Sequence, residues 1–331
     1  MGHGCGARHG PVLHIDRHHD RLHQVDPRGG ADLMTSSLTP ATASGSGPHY
    51  KTAGQVRRRK LASRIMIYVA AIAVGLFAIF PLYWMAITAI KPQEEIITPD
   101  PVWWPSELVW DRFPQVIDRG FGRYLRNSLI VTLGTTAIGL VVATLAGYAL
   151  ARFRIPLRKY LALIVLATQL FPVVVLLIPL FIVMRNFGLT GSLWGLIVAY
   201  LAFITPLMIW ILRGFFLSVP NEMEEAALID GCTRFGAMRR VVLPLAGPGI
   251  AAVSIFAWIA AWNEFLFALT FVRNESLRTL PVGLAFFVEQ ERVDHGAIMA
   301  GSLLFTLPVV VFFLFVHKRL TTGLVAGAVK G

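Results

Sequence analysis

Trp262, Asn263 and Glu264 stand in a row inside a long apolar run, and Gln169 sits close to Pro172 inside another. A carboxylate or amide where water is scarce must line a wet path, bond a neighbouring helix or, for the acid, take a proton. Two readings are open for Asn263 and Glu264. They border a translocation path or gate, with Trp262 offering an aromatic surface to a polar solute, or they are hydrogen-bonding glue to another subunit. Gln169 is a further path candidate, and Tyr200 and Thr205 before Pro206 are lesser ones. None of these residues forms a catalytic set. Glu264 has no second acid beside it, and neither a Ser/His/Asp constellation nor a His-Glu-x-x-His helix occurs. There is also no Gly-x-x-x-x-Gly-Lys-Ser/Thr phosphate loop, so ATP is not bound in the usual way. We assign no catalytic residue, cofactor or metal to this chain.

The second stretch with chemical content is Pro220-Asn221-Glu222-Met223-Glu224-Glu225-Ala226-Ala227-Leu228-Ile229-Asp230-Gly231. Pro220 suits a first helical turn, and Glu222, Glu224 and Glu225 place negative charge at that helix's positive end. Gly231 is a natural left-handed stop. Thr233 can cap a second short helix, with Arg239 and Arg240 in its last turn and Leu243-Pro244 following. The segment reads as a helix, a glycine turn and a second helix. So long and well capped a connection suggests a docking element, with Ala226, Ala227 and Gly231 as a small-residue surface that a partner approaches closely.

Seven of the nine histidines (His3, His9, His14, His18, His19, His23 and His49) lie in a polar leader over residues 1–60, which reads as disordered. A metal-binding tract is one reading. The plainer one is that no ligand geometry is fixed there, and that Met34 is the true start. Cys5 and Cys232 are too few and too unlike in setting for a disulfide framework or a zinc site.

The elements that must position these residues are membrane spans. Charged residues make up only 15% of the 331 residues and hydrophobic ones 55%, gathered in long runs, which disfavours a soluble enzyme and a β-barrel alike. We read six spans, near 65–90, 128–151, 160–184, 192–212, 248–271 and 299–317. The basic run Arg57-Arg58-Arg59-Lys60, the loop with Arg152, Arg154, Arg158 and Lys159, and the flank Lys318-Arg319 predict both termini and the 213–247 loop in the cytoplasm. Loops 91–127 and 272–298 then lie outside. The net charge of +11 is explained by this topology and calls for no nucleic acid. Trp103, Trp104 and Trp110 in the first outer loop form an interfacial belt or a docking place for an external partner.

Glu225-Ala226-Ala227, three residues, Gly231, nine residues, Val241, one residue and Leu243-Pro244 resemble the EAA motif of ABC importer permeases, with Val241 where the pattern wants Ile. Trp262-Asn263-Glu264 and the tail Gly323-Leu324-Val325-Ala326-Gly327-Ala328-Val329-Lys330-Gly331 resemble the carbohydrate-uptake, maltose-permease-like branch. The resemblance covers residues 60 to 331. It implies an all-α integral membrane fold, the type I permease fold, over residues 61–331 with a cytoplasmic coupling-helix loop. It also implies a second homologous permease subunit, two ATP-binding subunits, an extracytoplasmic solute-binding protein and a sugar or polyol substrate. Glu225, Ala226, Ala227, Asp230, Gly231, Leu243 and Pro244 would then couple to the ATPases, which use the ATP and Mg. In such transporters the sugar is held mainly by the other permease, so this chain is expected only to gate the path, and no sugar-binding residue is assigned to it. The resemblance places the chain in the cytoplasmic membrane of a bacterium or archaeon. The rival readings are an ion-coupled secondary transporter, which wants paired repeats and buried charges, and an intramembrane enzyme, which wants a catalytic set.

Overall fold

The computed structural model describes residues 53–290 and 294–328. The His-rich leader up to residue 52, with Met34, and the last three residues lie outside the described residues. The chain divides into two units, residues 1–76 and 77–331. In the first, the described part is the start of helix α1 (Ala53–Ile90), whose apolar side chains from Ile65 to Leu76 stand exposed. A helix that is apolar on every side and unburied has the surface of a lipid-facing span.

The second unit is also helical, and no strand occurs among the described residues. After α1 come α2 (Gln93–Ile96) and α3 (Arg112–Val116), and a π-turn (Ile117–Phe121) leads into α4 (Gly122–Arg152). α5 (Arg158–Ala167), α6 (Val173–Asn186) and α7 (Leu193–Ser218) follow. A surface hairpin holds α8 (Asn221–Ile229), α9 (Arg234–Ala237) and α10 (Leu243–Leu245), and then come α11 (Gly247–Trp262), α12 (Leu266–Phe271), α13 (Leu280–Gln290) and α14 (His295–Ala328).

Four helical stretches are individually long and apolar enough to cross a bilayer: Ser63–Ile90, Arg112–Arg152, Leu193–Ser218 and His295–His317. Six result only if two bent pairs each count as one span. The expected third span, 160–184, is not one helix. α5 and its 3-10 extension Thr168–Leu170 meet α6 at a bend of 101°. The cause is local. Phe171 is pushed into extended backbone (φ −77°, ψ 129°) by the proline that follows it, and Pro172 starts α6 without an N–H to offer the preceding turn. The expected fifth span, 248–271, is likewise interrupted between Trp262 and Leu266. α11 is bent by 78° from the helix that precedes it. The second span starts earlier than expected, because residues 112–127, read as loop, are already helical.

α4 and α7 form the most extensive helix pair, and α11 packs on α4, α7 and α14. A Cβ on Gly147 would lie 3.2 Å from the Arg213 nitrogen and 3.3 Å from the Ile209 carbonyl oxygen, so the two backbones nearly touch. Gly139, buried Ala143 and Gly147 recur every fourth residue, the small-residue seam that lets membrane helices approach closely. A second buried group, around Ala89, Val116, Tyr124, Trp258 and Trp262, closes the other flank.

The 91–111 connection is pinned rather than loose. Lys91 is buried, donates to the Val102 carbonyl and lies 4.4 Å from the Trp84 ring centre. Burial holds its ammonium below the ordinary lysine range, and Glu95 pulls it partly back. Arg112 donates to the carbonyls of Lys91 and Ala89 and pairs with Asp294 at 3.2 Å, tying this connection to the start of α14. Trp103 and Trp110 stay largely exposed, and Trp103 packs edge-on against Trp84.

Candidate functional site

The hairpin formed by α8 and α9 is built by local signals. Pro220 stands just before the first helical residue, one position earlier than expected, with φ −58° and ψ 139°. At the far end Gly231 has φ +84°; its N–H reaches the Leu228 carbonyl at 3.1 Å and the Cys232 N–H reaches the Ala227 carbonyl at 3.0 Å. These are the paired bonds of a Schellman stop. Thr233 Oγ1 accepts the Gly236 N–H at 3.1 Å and starts α9.

What faces outward differs from the expected small-residue surface. Glu225, Ala226, Asp230 and Gly231 are exposed, but Ala227 is buried against the body of the chain. The exposed apolar groups are Met223, Ile229 and Phe235, with Ile229 at 86% exposure. Leu243 is half-buried against the core and Pro244 is exposed.

Glu224 stands in the first turn of α8 as expected, but sequence reasoning missed its partners. It is not a free acid at the helix start. Its carboxylate is buried, pairs with Arg152 Nε at 2.9 Å and accepts the Tyr148 hydroxyl. Arg152 also donates to the Val219 carbonyl at 2.7 Å and to Asn221 Oδ1. The hairpin is therefore bolted to the last turn of α4. Arg152 could be read in the sequence only as a topogenic charge, because its partner lies far along the chain.

The polar residues of the spans separate into two groups. Trp262 is fully buried, stacked on Trp258 and tilted against Phe305 of α14. Asn263 is exposed, and its amide donates at 2.9 Å to the Ile259 carbonyl, which the Asn263 backbone N–H also reaches at 3.1 Å. Glu264 turns back onto its own chain. Oε1 accepts the Phe267 N–H at 2.8 Å and Oε2 the Ala268 N–H at 3.1 Å, so the acid opens α12. Gln169, at the 101° bend, donates to the Phe203 carbonyl at 3.1 Å. Thr168, Gln169, Leu176, Pro179, Phe203 and Phe267 line one cavity of about 250 Å³. The bent third span thus brings Gln169 there, and α12, opened by Glu264, brings Phe267. Phe203 and Phe267, stacked at 5.2 Å, carried no polar signal in the sequence.

The family model described as the binding-protein-dependent transport system inner membrane component matches residues 139–322, more than half of the chain. The diacetylchitobiose uptake system permease protein DasC of Streptomyces coelicolor is 38% identical over 275 residues, covering 83% of this chain and 100% of that protein. The trehalose transport system permease protein SugB of Mycobacterium tuberculosis is 36% identical, covering 77% of this chain and 93% of its own. The trehalose/maltose transport system permease protein MalG of Thermococcus litoralis is 32% identical, covering 83% and 99%. A chain from the crystal structure of a bacterial ABC transporter involved in the import of the acidic polysaccharide alginate superposes with a TM-score of 0.65. It is 23% identical and covers 82% of this chain and 99% of that one, which shows a shared fold. With the EAA spacing, the helical hairpin and these matches together, the chain belongs to the binding-protein-dependent transport system inner membrane component family, the integral membrane permeases of ABC importers.

Proposed function

We propose that this chain is one of two homologous permease subunits of an ATP-driven importer for a sugar or polyol. The observation that carries the substrate class is that curated relatives from separate organisms, alike over more than three quarters of this chain, are named for sugar or amino-sugar uptake. In this reading an extracytoplasmic solute-binding protein delivers the solute, and two ATPase subunits bind below. The chain sits in the cytoplasmic membrane of a bacterium or archaeon with both termini inside.

The hairpin is the coupling element. Glu225, Ala226, Asp230 and Gly231, with Met223 and Ile229 exposed beside them, enter a groove of the ATPase. Ala227 instead packs α8 onto the chain, and Leu243 and Pro244 carry its displacement into α11. A short helix stopped at both ends and bolted to α4 through Glu224 and Arg152 transmits a push; a loose loop would absorb it. The path or gate runs beside the two broken spans, where Gln169, Asn263 and Glu264 interrupt the apolar surface, while Trp262 backs the wall from behind.

The test is uptake by the complete importer in a null strain. Labelled mono- and disaccharides and polyols are offered against labelled amino acids and oligopeptides. Sugar or polyol uptake that depends on ATP and on the binding protein is expected. Uptake of amino acids or peptides with none of sugars and polyols would overturn the substrate class, and uptake driven by an ion gradient without ATP would overturn the mechanism.

A further inference from the structure

A helix broken inside a bilayer leaves backbone N–H and C=O groups that no water satisfies. In the fifth span the chain meets this need with its own side chains. Asn263 turns its amide onto the Ile259 carbonyl at the end of α11, and Glu264 gives both carboxylate oxygens to the first free N–H groups of α12. The Ile259 carbonyl already takes the Asn263 backbone N–H, so the capping of freed groups is on the α12 side, where Glu264 accepts two N–H groups. The carboxylate is also flanked by Tyr200 on α7, whose buried hydroxyl is turned toward it without a well-aligned hydrogen bond.

The capped residue is the one that reaches the cavity. Phe267, whose N–H Glu264 holds, is fully buried, with its ring stacked on Phe203 at 5.2 Å and set edge-on to Phe271 at 5.5 Å. Phe203 in turn gives its carbonyl to Gln169. A rotation of α12 by one residue would carry the Phe267 ring away from Phe203 and open or fill the cavity. The bonds to Glu264 are what fix that rotation, since a six-residue helix has almost no stability of its own.

We infer that Glu264 is a positioning residue for translocation. It acts as a built-in cap that sets the break in the fifth span and so holds Phe267 in register with Phe203 and Gln169. It neither contacts the solute nor bonds the partner permease. This rests on the reading that the cavity borders the solute path.

The experiment uses the complete importer, with partner permease, ATPases and binding protein, in proteoliposomes. Glu264→Gln keeps length but replaces one carboxylate acceptor with an amide donor, so one N–H is lost; the KM for solute uptake should rise ~10-fold, as for one charge-assisted hydrogen bond, with detergent-stable assembly unchanged. Adding Phe265→Asp supplies a cap from the neighbouring, half-exposed position, and should bring KM back to within about threefold of wild type. A cap can be moved by one residue; a solute contact or an intersubunit bond cannot. The inference is overturned if Glu264→Gln transports as wild type, if it loosens assembly with the partner permease, or if Phe265→Asp, active alone, fails to rescue it. Gln169→Ala and Phe203→Ala test the underlying reading separately. If both transport normally while Glu264→Gln is impaired and rescued, the cap stands and the cavity is not on the path.

Discussion

Arg152 Nε lies 2.9 Å from Glu224 Oε2, with each side chain only 7% exposed. This pair joins the last residue of α4 to the hairpin of α8 and α9, and the Tyr148 hydroxyl completes it from one turn earlier on α4. A buried ion pair gains little over an apolar pair of the same shape, but stranding one member is costly. Its value here is positional, since it fixes where α8 sits under the spans.

Glu224→Ala and Arg152→Ala each leave a buried charge unpaired and are expected to destabilise the permease by ~3–5 kcal/mol. The double variant should lose clearly less than the sum. Denaturation of the purified complex, followed for all three variants, measures the coupling; strictly additive losses would show that the pair is not a unit.

Gly231→Val should reduce uptake while the protein reaches the membrane at its normal level. An added Cβ would meet no atom within 4 Å, so the effect comes only from the backbone, held at φ +84°. A branched side chain in that region costs ~1–2 kcal/mol, and Gly231→Asn should cost less. Uptake, surface level and ATPase co-purification are read together. Wild-type uptake with Val would remove Gly231 from the coupling set.

Gly147→Leu is expected to abolish assembly, because its side chain would be driven into the backbone of α7 at Ile209 and Arg213. Gly75→Leu, where a Cβ meets nothing within 4 Å, is the matching control and should be silent. Size-exclusion profiles of the two variants in detergent decide the matter. A normal profile for Gly147→Leu would mean that α4 and α7 do not meet as closely as described.

A chain begun at Met34 should restore uptake to a null strain as well as the full chain does. The expectation rests on the polar, aperiodic sequence before Lys51. Reduced uptake that returns only with the histidines in place would favour the metal-binding reading of the leader.

What the sequence by itself determined is whatever depends on partners close along the chain. Bilayer-length apolar runs identified membrane helices, because transfer from water is a sum over neighbouring residues. Pro220, Gly231 and Thr233 delimited the hairpin, because a cap bonds groups three to five residues away. The tertiary structure decided the rest. Apolarity has no direction, so 160–184 read as one span although Pro172 bends it by 101°. The bonds of Glu264 to the Phe267 and Ala268 N–H groups were not legible, because a carboxylate's acceptors show no aim in a sequence. Glu224 read as a helix-end charge because its counter-ion is brought to it only by the packing of α8 under α4. A side chain's partner across the fold is set by the geometry of packed helices, and spacing along one chain does not encode that geometry locally.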